Sequence, residues 1–189
     1  GVGVGFAEAE RLPPRITRRP RYIPAMAEAF NDITLSADKA TRYAEVADEI
    51  ASVLDGEPNL TARMATVASM LASSFDHYFW TGFYVVDPAK PRELVVGPYQ
   101  GTLGCLRIAF GRGVCGAAAE TGQTQLVPDV HAFPGHIACD SRSESEVVVP
   151  VFDPEGRLIA VFDVDSDKPA AFDETDQAWL EKILKATFA

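Results

Sequence analysis

Six short runs rich in aromatic and β-branched residues follow one another between residues 79 and 165, and they constrain the fold more than any other feature of the sequence. The runs are FWTGFYVV (79–86), ELVVGPY (93–99), LRIAF (106–110), TQLV (124–127), EVVVPVF (146–152) and RLIAVFDVD (157–165). The segments DPAKPR and DPEGR, which separate two pairs of runs, are typical of turns. Such short connections favour hairpins over parallel strands joined by crossover helices. The pattern predicts a roughly six-stranded antiparallel sheet.

Amphipathic helical patterns flank these strands. The first has Ser36 as its predicted N-cap and stops before Gly56, and the second is capped by Asn59. The chain closes on a third helix with Asp173 as N-cap, and a short helix is predicted between the glycines of segment 113–122. Helices grouped before and after a run of strands indicate an α+β fold, with the helices packed on one face of the sheet.

The length and charge of the chain limit its domain organisation and its partners. With 189 residues, of which 47% are hydrophobic, the chain suffices for one well-filled core. We expect a single domain over residues 36–189, preceded by an Arg- and Pro-rich extension over residues 1–35. A formal net charge of −10 argues against nucleic acid and anionic membranes as partners.

The number of cysteines indicates the cellular compartment of the protein. The three cysteines are an odd number and too few for a disulfide-stapled secreted fold. They are more typical of reduced or reactive thiols in a reducing compartment. We therefore expect a cytoplasmic protein, and no apolar run approaches the ~20 residues that a membrane span requires.

One of these cysteines, Cys139, lies in a long loop that is rich in His, Asp, Ser and Glu rather than in apolar residues. A nucleophilic thiol needs a lowered pKa and a proton donor for its reaction partner. The neighbouring His136 and Arg142 are candidates for lowering the pKa of Cys139. The loop thus predicts a reactive thiol, with structural packing as the alternative.

The other two cysteines suggest a redox cycle. A thiolate that becomes a sulfenic acid condenses with a second thiol to give a disulfide. Cys105, in a glycine-rich turn, and Cys115, at the start of the predicted short helix, are both candidates for that second thiol. A zinc site built from the three cysteines and His136 is a weak alternative, because the C-x₂-C spacing of such sites is absent.

Three carboxylates accompany the thiols. In the segment FDVD, Asp163 and Asp165 are two residues apart, so on a strand both side chains lie on one face. Two like charges side by side are costly unless they are solvated, paired or bound to a ligand. Together with Glu146 they are candidates for donating a proton. The alternative is a strand that simply runs out into solvent.

Several motifs resemble those of the free methionine-(R)-sulfoxide reductases, which are single GAF domains. The resemblance covers residues 38–188 and is strongest in the segment DVHAFPGHIACD. The motifs that carry it are WTGFY (80–84), GPYQG (97–101), GRGVCG (111–116), DVHAFPGHIACD (129–140), SESEVVVP (143–150) and IAVFDVDS (159–166).

This resemblance implies an oxidoreductase that reduces free L-methionine (R)-S-oxide, with Cys139 attacking the sulfoxide sulfur. It implies Cys105 as the resolving thiol, with Cys115 as a possible second one, and thioredoxin as the external reductant. We expect no bound cofactor and no metal. The expected substrate-binding residues are Trp80, Tyr84, Ile137, Ala138, Glu146, Asp163 and Asp165.

Two further expectations remain at the level of sequence. Helices that flank a GAF sheet often pair between subunits, so we expect a homodimer. The alternative function is a non-catalytic GAF domain that senses a small molecule or the redox state. The chain shows no segment that resembles an output domain, which such a sensor usually requires.

Overall fold

A computed structural model describes residues 35–189 of the protein. The predicted extension, residues 1–35, lies outside the described residues apart from its last one. The α-helices are α1 (Lys39–Val53), α2 (Leu60–Ser74), α3 (Gly113–Thr121) and α4 (Glu174–Phe188). The strands are β1 (Trp80–Asp87), β2 (Lys90–Gln100), β3 (Arg107–Ala109), β4 (Gln125–Val127), β5 (Ser145–Phe152) and β6 (Leu158–Ser166). Within residues 35–189, no helix is both long and apolar enough to cross a membrane.

The six strands form one sheet in the order β3-β2-β1-β6-β5-β4, and every neighbouring pair is antiparallel. The predicted α+β class and the six-stranded antiparallel sheet are therefore confirmed. A long connection from Val127 to Ser145 joins the edge strand β4 to β5 and contains one short 3₁₀ turn, Val130–Ala132. This connection carries Cys139, as predicted.

Two local predictions need correction. Helix α1 is capped by Asp38, not by Ser36, because the Asp38 carboxylate accepts the backbone N–H of Thr41 over 2.9 Å. The turn after β1 is shorter than the predicted DPAKPR segment, since Asp87 already pairs with Lys90 across the hairpin. The other predicted caps, Asn59 and Asp173, accept backbone N–H groups at the starts of α2 and α4.

Alternation along β1 separates the two faces of the sheet. Phe83 lies in the core on one face, where its ring is 4.8 Å from that of Phe162 and 5.6 Å from that of Phe188 in α4. Its neighbour Tyr84 is on the opposite face and packs with Cys115 of α3. Helix α3 thus lies on the other side of the sheet from α4, so the prediction that the helices pack on one face does not hold for α3. This second face holds the acids and thiols singled out in the sequence.

Candidate active site

A cleft of about 480 Å³, including its open mouth, lies between this face of the sheet, α3 and the loop that carries Cys139. Among the predicted site residues, the cleft is lined by Trp80, Tyr84, Cys115, Ile137, Cys139, Glu146, Asp163 and Asp165. Ala138 is exposed and does not line the cleft, and its part in substrate binding stays a prediction.

A disulfide joins Cys105 to Cys139 at the mouth of the cleft, with their Cα atoms 5.3 Å apart. Both residues lie in segments without helix or strand, between β2 and β3 and between β4 and β5. Cys139 is exposed and Cys105 is half-buried. The pair is therefore within reach of another molecule, and its two thiols can form and break a bond at the protein surface.

Cys115 has a different environment. It is free and buried, with only 4% of its surface exposed, and its Sγ lies 3.9 Å from Oε1 of Glu146. Burial, together with the charges of Asp163 and Glu146, raises the pKa of the Cys115 thiol well above its usual value. A thiol that keeps its proton is a poor nucleophile, so Cys115 is unsuited to attack.

The three acids meet on the floor of the cleft because of the register of two strands. Glu146 of β5 lies directly opposite Asp165 of β6, and Asp163 is two residues along on the same face. Burial and the neighbouring carboxylates raise the pKa of Glu146 well above its ordinary value. Burial and the charge of Asp165 do the same for Asp163. Both groups therefore keep a proton to a higher pH than an ordinary carboxyl group does.

The pKa of Asp165 is raised as well. Its partial burial raises its pKa to about 6, a rise that the Ser143 hydroxyl opposes and Asp140 reinforces. At neutral pH it is therefore largely ionised. One oxygen of Asp163, Oδ1, is buried and has no hydrogen-bond partner among the described residues. The floor of the cleft thus combines two carboxyl groups of raised pKa with one negative charge and a buried oxygen that has no partner.

An aromatic wall flanks the acids. The Trp80 ring stacks on Tyr84, with centroids 5.5 Å apart, and on Tyr99, with centroids 5.0 Å apart. The Tyr84 hydroxyl lies 4.0 Å from Sγ of Cys139. Trp80 and Tyr84 therefore present an apolar, polarizable surface beside the sulfur atom. Such surfaces make favourable contacts with thioethers.

The role of His136 and Arg142 in lowering the pKa of Cys139 stays a prediction. His136 Nε2 lies 4.0 Å from Oε2 of Glu146, and burial lowers the pKa of the imidazole, so that it is neutral at pH 7. Arg142 is paired with Asp140 over 2.8 Å, so its charge is compensated. The sequence indicated that both residues are close to Cys139, and the structure pairs Arg142 with Asp140 and brings His136 into the lining of the cleft.

Among residues 35–189, the cluster of Cys115, Glu146 and Asp163 brings one thiol and two carboxylates within 4.8 Å of one another. A structural zinc site needs four ligands, and its thiol must be ionised. Here the pKa values of the acids and of the thiol are raised, which disfavours their ionised forms, and two of the cysteines of the predicted zinc set are bonded to each other. The donor set does not fit the zinc alternative.

The cleft also contains residues that the sequence did not single out. They are Leu103, Ile108, Gly113, Val114, Asp140 and Ser143. Asp140 follows Cys139 directly, so the same polar segment carried a signal for it. Ile108 reaches the cleft because β3 pairs with β2 at the edge of the sheet, which no local pattern shows, and Leu103 lies in the loop before β3.

The sequence matches the GAF domain family over residues 60–186. Together with the sheet and the cleft, this match defines a GAF domain with a redox-active cysteine pair. Free methionine-R-sulfoxide reductase of Saccharomyces cerevisiae is 40% identical over 135 residues, which are 69% of this chain and 75% of the relative. GAF domain-containing protein A of Dictyostelium discoideum is 46% identical over 155 residues, 82% of this chain and 96% of the relative.

This chain is also similar to a solved structure of a free methionine-R-sulfoxide reductase. The X-ray structure of free methionine-R-sulfoxide reductase from Neisseria meningitidis in complex with its substrate is 49% identical in sequence, with a TM-score of 0.76 over 81% of this chain and 90% of that chain. The chain therefore belongs to the free methionine-R-sulfoxide reductase family of GAF domains, and the resemblance of its motifs is confirmed.

Proposed function

We propose that the protein reduces free L-methionine (R)-S-oxide to methionine. The observation that carries the proposal is the position of the Cys105–Cys139 disulfide at the mouth of a cleft whose floor holds three carboxyl groups. The relatives named as free methionine-R-sulfoxide reductases support the same reaction. Overall, two thiols and one sulfoxide give one disulfide, methionine and water.

The first step uses Cys139 and a protonated acid. The Cys139 thiolate attacks the sulfoxide sulfur, while Glu146 or Asp163 donates a proton to the oxygen. The raised pKa values of both acids support this role, because each keeps its proton to a higher pH than an ordinary carboxyl group does. Collapse of the intermediate releases methionine and leaves Cys139 as a sulfenic acid.

The other groups of the cleft bind the substrate. The Asp165 carboxylate binds the substrate ammonium, and Trp80 and Tyr84 contact the methyl group. The backbone N–H groups of Ile137 and Cys139 have no acceptor among residues 35–189 and are free to bind the substrate carboxylate. A peptide bond in place of that carboxylate loses its charge and adds bulk, so we propose that peptide-bound methionine sulfoxide is excluded.

A stereochemical assay tests this activity. The protein is incubated with dithiothreitol and either the R or the S isomer of free methionine sulfoxide, and methionine is quantified by amino-acid analysis. The expected result is methionine from the R isomer alone, lost in Cys139→Ser. Turnover of a peptide-bound sulfoxide at a comparable rate would contradict the proposed selectivity. If neither isomer yields methionine, the proposed activity is wrong, and a non-catalytic sensor becomes the better explanation.

Resolution and recycling follow from the position of the thiols. The Cys105 thiol attacks the Cys139 sulfenic acid, the S–O bond breaks, and the oxygen leaves as water. We propose thioredoxin as the external reductant, which the exposure of Cys139 supports. Because the electrons come from thiols, the reaction requires no bound cofactor or metal. NADPH oxidation in the presence of thioredoxin and thioredoxin reductase tests the recycling step, with a mixture lacking thioredoxin as the control.

The remaining features of the proposal concern the whole molecule. We propose that residues 36–189 form the catalytic GAF domain, that residues 1–35 are an extension outside it, and that the protein is cytoplasmic. We also propose a homodimer, in which the groove between α1 and α4, lined by Ala47, Ala51 and Trp179, offers an apolar surface to a second copy. Light scattering that gives the mass of a monomer would contradict the homodimer.

A further inference from the structure

A second link joins the two loops that carry the redox cysteines. The Thr102 hydroxyl donates a hydrogen bond to Oδ2 of Asp140 over 2.8 Å. Thr102 lies three residues before Cys105, and Asp140 directly follows Cys139. The hydrogen bond therefore spans the same two loops as the disulfide.

Both ends of this link are held from the start of β1. Asp140 accepts hydrogen bonds from Nε of Arg142 over 3.0 Å and from its Nη2 over 2.8 Å, and the guanidinium lies 4.5 Å from the centroid of the Phe79 ring. On the other side, Trp80 Nε1 donates to the carbonyl of Thr102 over 3.0 Å. Arg142, and next Thr102, lower the pKa of Asp140, so the acceptor is ionised at neutral pH.

We propose that Thr102 and Asp140 are positioning residues that hold the Cys105 thiol close to Cys139 before the disulfide forms. Residues 101–106 and 133–144 contain neither α-helix nor strand, so neither loop is fixed by its own backbone ladder. A hydrogen bond to a charged acceptor restricts the separation of the loops and raises the effective concentration of one thiol at the other.

This role in turnover rests on the proposed function, in which Cys105 resolves the Cys139 sulfenic acid. In that step the Cys105 sulfur replaces the oxygen on Cys139, and the oxygen leaves with two protons as water. The step needs no further oxidant or reductant. Its rate depends on how often the two sulfur atoms meet, which is the quantity that the Thr102–Asp140 hydrogen bond controls.

The hydrogen bond is present together with the disulfide, and it favours the disulfide in either of two cases. If it forms only when the loops are bridged, it stabilises the bridged state; if it persists in the dithiol protein, it keeps the thiols together. By thermodynamic linkage, removing it lowers the tendency to form the disulfide in both cases. An effect of Thr102 on the redox equilibrium is therefore expected without any assumption about the conformation of the reduced loops.

The first test does not depend on methionine chemistry. Wild type, Thr102→Val and Thr102→Ser are equilibrated with glutathione redox buffers, and the disulfide fraction is measured by thiol alkylation and mass spectrometry. The disulfide fraction gives the effective concentration of the Cys105 thiol at Cys139, which we expect to be about 3- to 10-fold lower in Thr102→Val than in wild type. In Thr102→Ser, which keeps the hydroxyl, we expect it to stay within about twofold of wild type. An unchanged Thr102→Val, or an equal loss in both variants, would overturn the proposal. Thr102 is exposed, and a thermal melt of each dithiol variant checks its folding.

The second test measures the resolution step itself. The reduced proteins receive one equivalent of free methionine (R)-sulfoxide in the presence of dimedone, which traps sulfenic acid. Methionine formation is expected to be the same in all three proteins, with about 3- to 10-fold more trapped sulfenic acid relative to disulfide in Thr102→Val. Equal trapping in the three proteins would contradict the positioning role. If wild type forms no methionine, the proposed function fails, and the glutathione equilibrium alone decides the role of Thr102.

Discussion

Sγ of Cys115 lies 3.9 Å from Oε1 of Glu146 on the buried floor of the cleft, whereas Cys105 is bonded to Cys139 at its mouth. We therefore expect Cys115→Ala to form the same disulfide as wild type after reaction with sulfoxide. Cys105→Ser is expected to form no intramolecular disulfide and to accumulate a sulfenic acid on Cys139. Peptide mapping of the oxidised proteins checks this, and a dominant bond between Cys115 and Cys139 in wild type would rule out Cys105 as the resolving thiol.

Glu146→Gln should slow the reduction step. The amide keeps nearly the same size but has no proton to donate to the sulfoxide oxygen, so we expect the rate of methionine formation in a single turnover to fall by about 10²-fold or more. The rate is measured by rapid quench at pH 7 with saturating free methionine (R)-sulfoxide. Glu144→Gln, on the exposed part of the loop, is the matched control. A rate within about threefold of wild type would assign the proton to another group, with Asp163 the next candidate.

Asp165→Asn should stabilise the substrate-free protein in a pH-dependent manner. Burial raises the pKa of Asp165 from 3.8 to about 6, so the folded protein binds this proton more tightly than the unfolded chain does. The stabilisation from this group is complete below pH 3.8 and is lost as the pH rises through about 6. At pH 7.5 we expect the variant to gain on the order of 2 kcal/mol in unfolding free energy.

This gain should shrink as the pH falls from about 6 to about 4, because the wild-type carboxyl then takes up its proton. Urea unfolding of both proteins at a series of pH values measures the difference. Asp167→Asn, at an exposed position just beyond the end of β6, serves as the control. A difference that is the same at every pH would show that Asp165 acts through packing rather than through its charge.

On the opposite face of the sheet, Tyr43→Phe should destabilise the fold. The Tyr43 hydroxyl donates to Oδ1 of the fully buried Asp176 over 2.8 Å and also pairs with the hydroxyl of Tyr78. Loss of this hydroxyl removes one hydrogen-bond partner from the Asp176 carboxylate and one from the Tyr78 hydroxyl, which costs about 1–3 kcal/mol in unfolding free energy. Urea unfolding checks this value. Tyr99→Phe, whose hydroxyl has no hydrogen bond within residues 35–189, is expected to stay within about 0.5 kcal/mol of wild type.

Much of the fold was predictable because its signals are local. The alternation in FDVD predicted that Asp163 and Asp165 share a face, and the sheet bears this out. The six runs of β-forming residues predicted six strands, and the polar character of the loop around Cys139 marked it as part of a site. These features depend on spacing along one segment, which the sequence contains directly.

The remaining features depend on contacts between distant segments. Residues alone left Cys105 and Cys115 open as partners of Cys139, because burial of Cys115 results from packing of α3 on the sheet. The pairing of Arg142 with Asp140 and the approach of His136 to Glu146 likewise depend on how one loop folds back. That Ile137 and Cys139 line the cleft while Ala138 between them does not was equally beyond local pattern.

The most direct measurement is a single turnover without external reductant. The fully reduced protein is mixed with an excess of free methionine (R)-sulfoxide, methionine is counted, and the cysteines are mapped by mass spectrometry. The proposed mechanism predicts one methionine per chain, one disulfide between Cys105 and Cys139, and a Cys115 thiol that remains free. Absence of methionine, or a disulfide that includes Cys115, would contradict it.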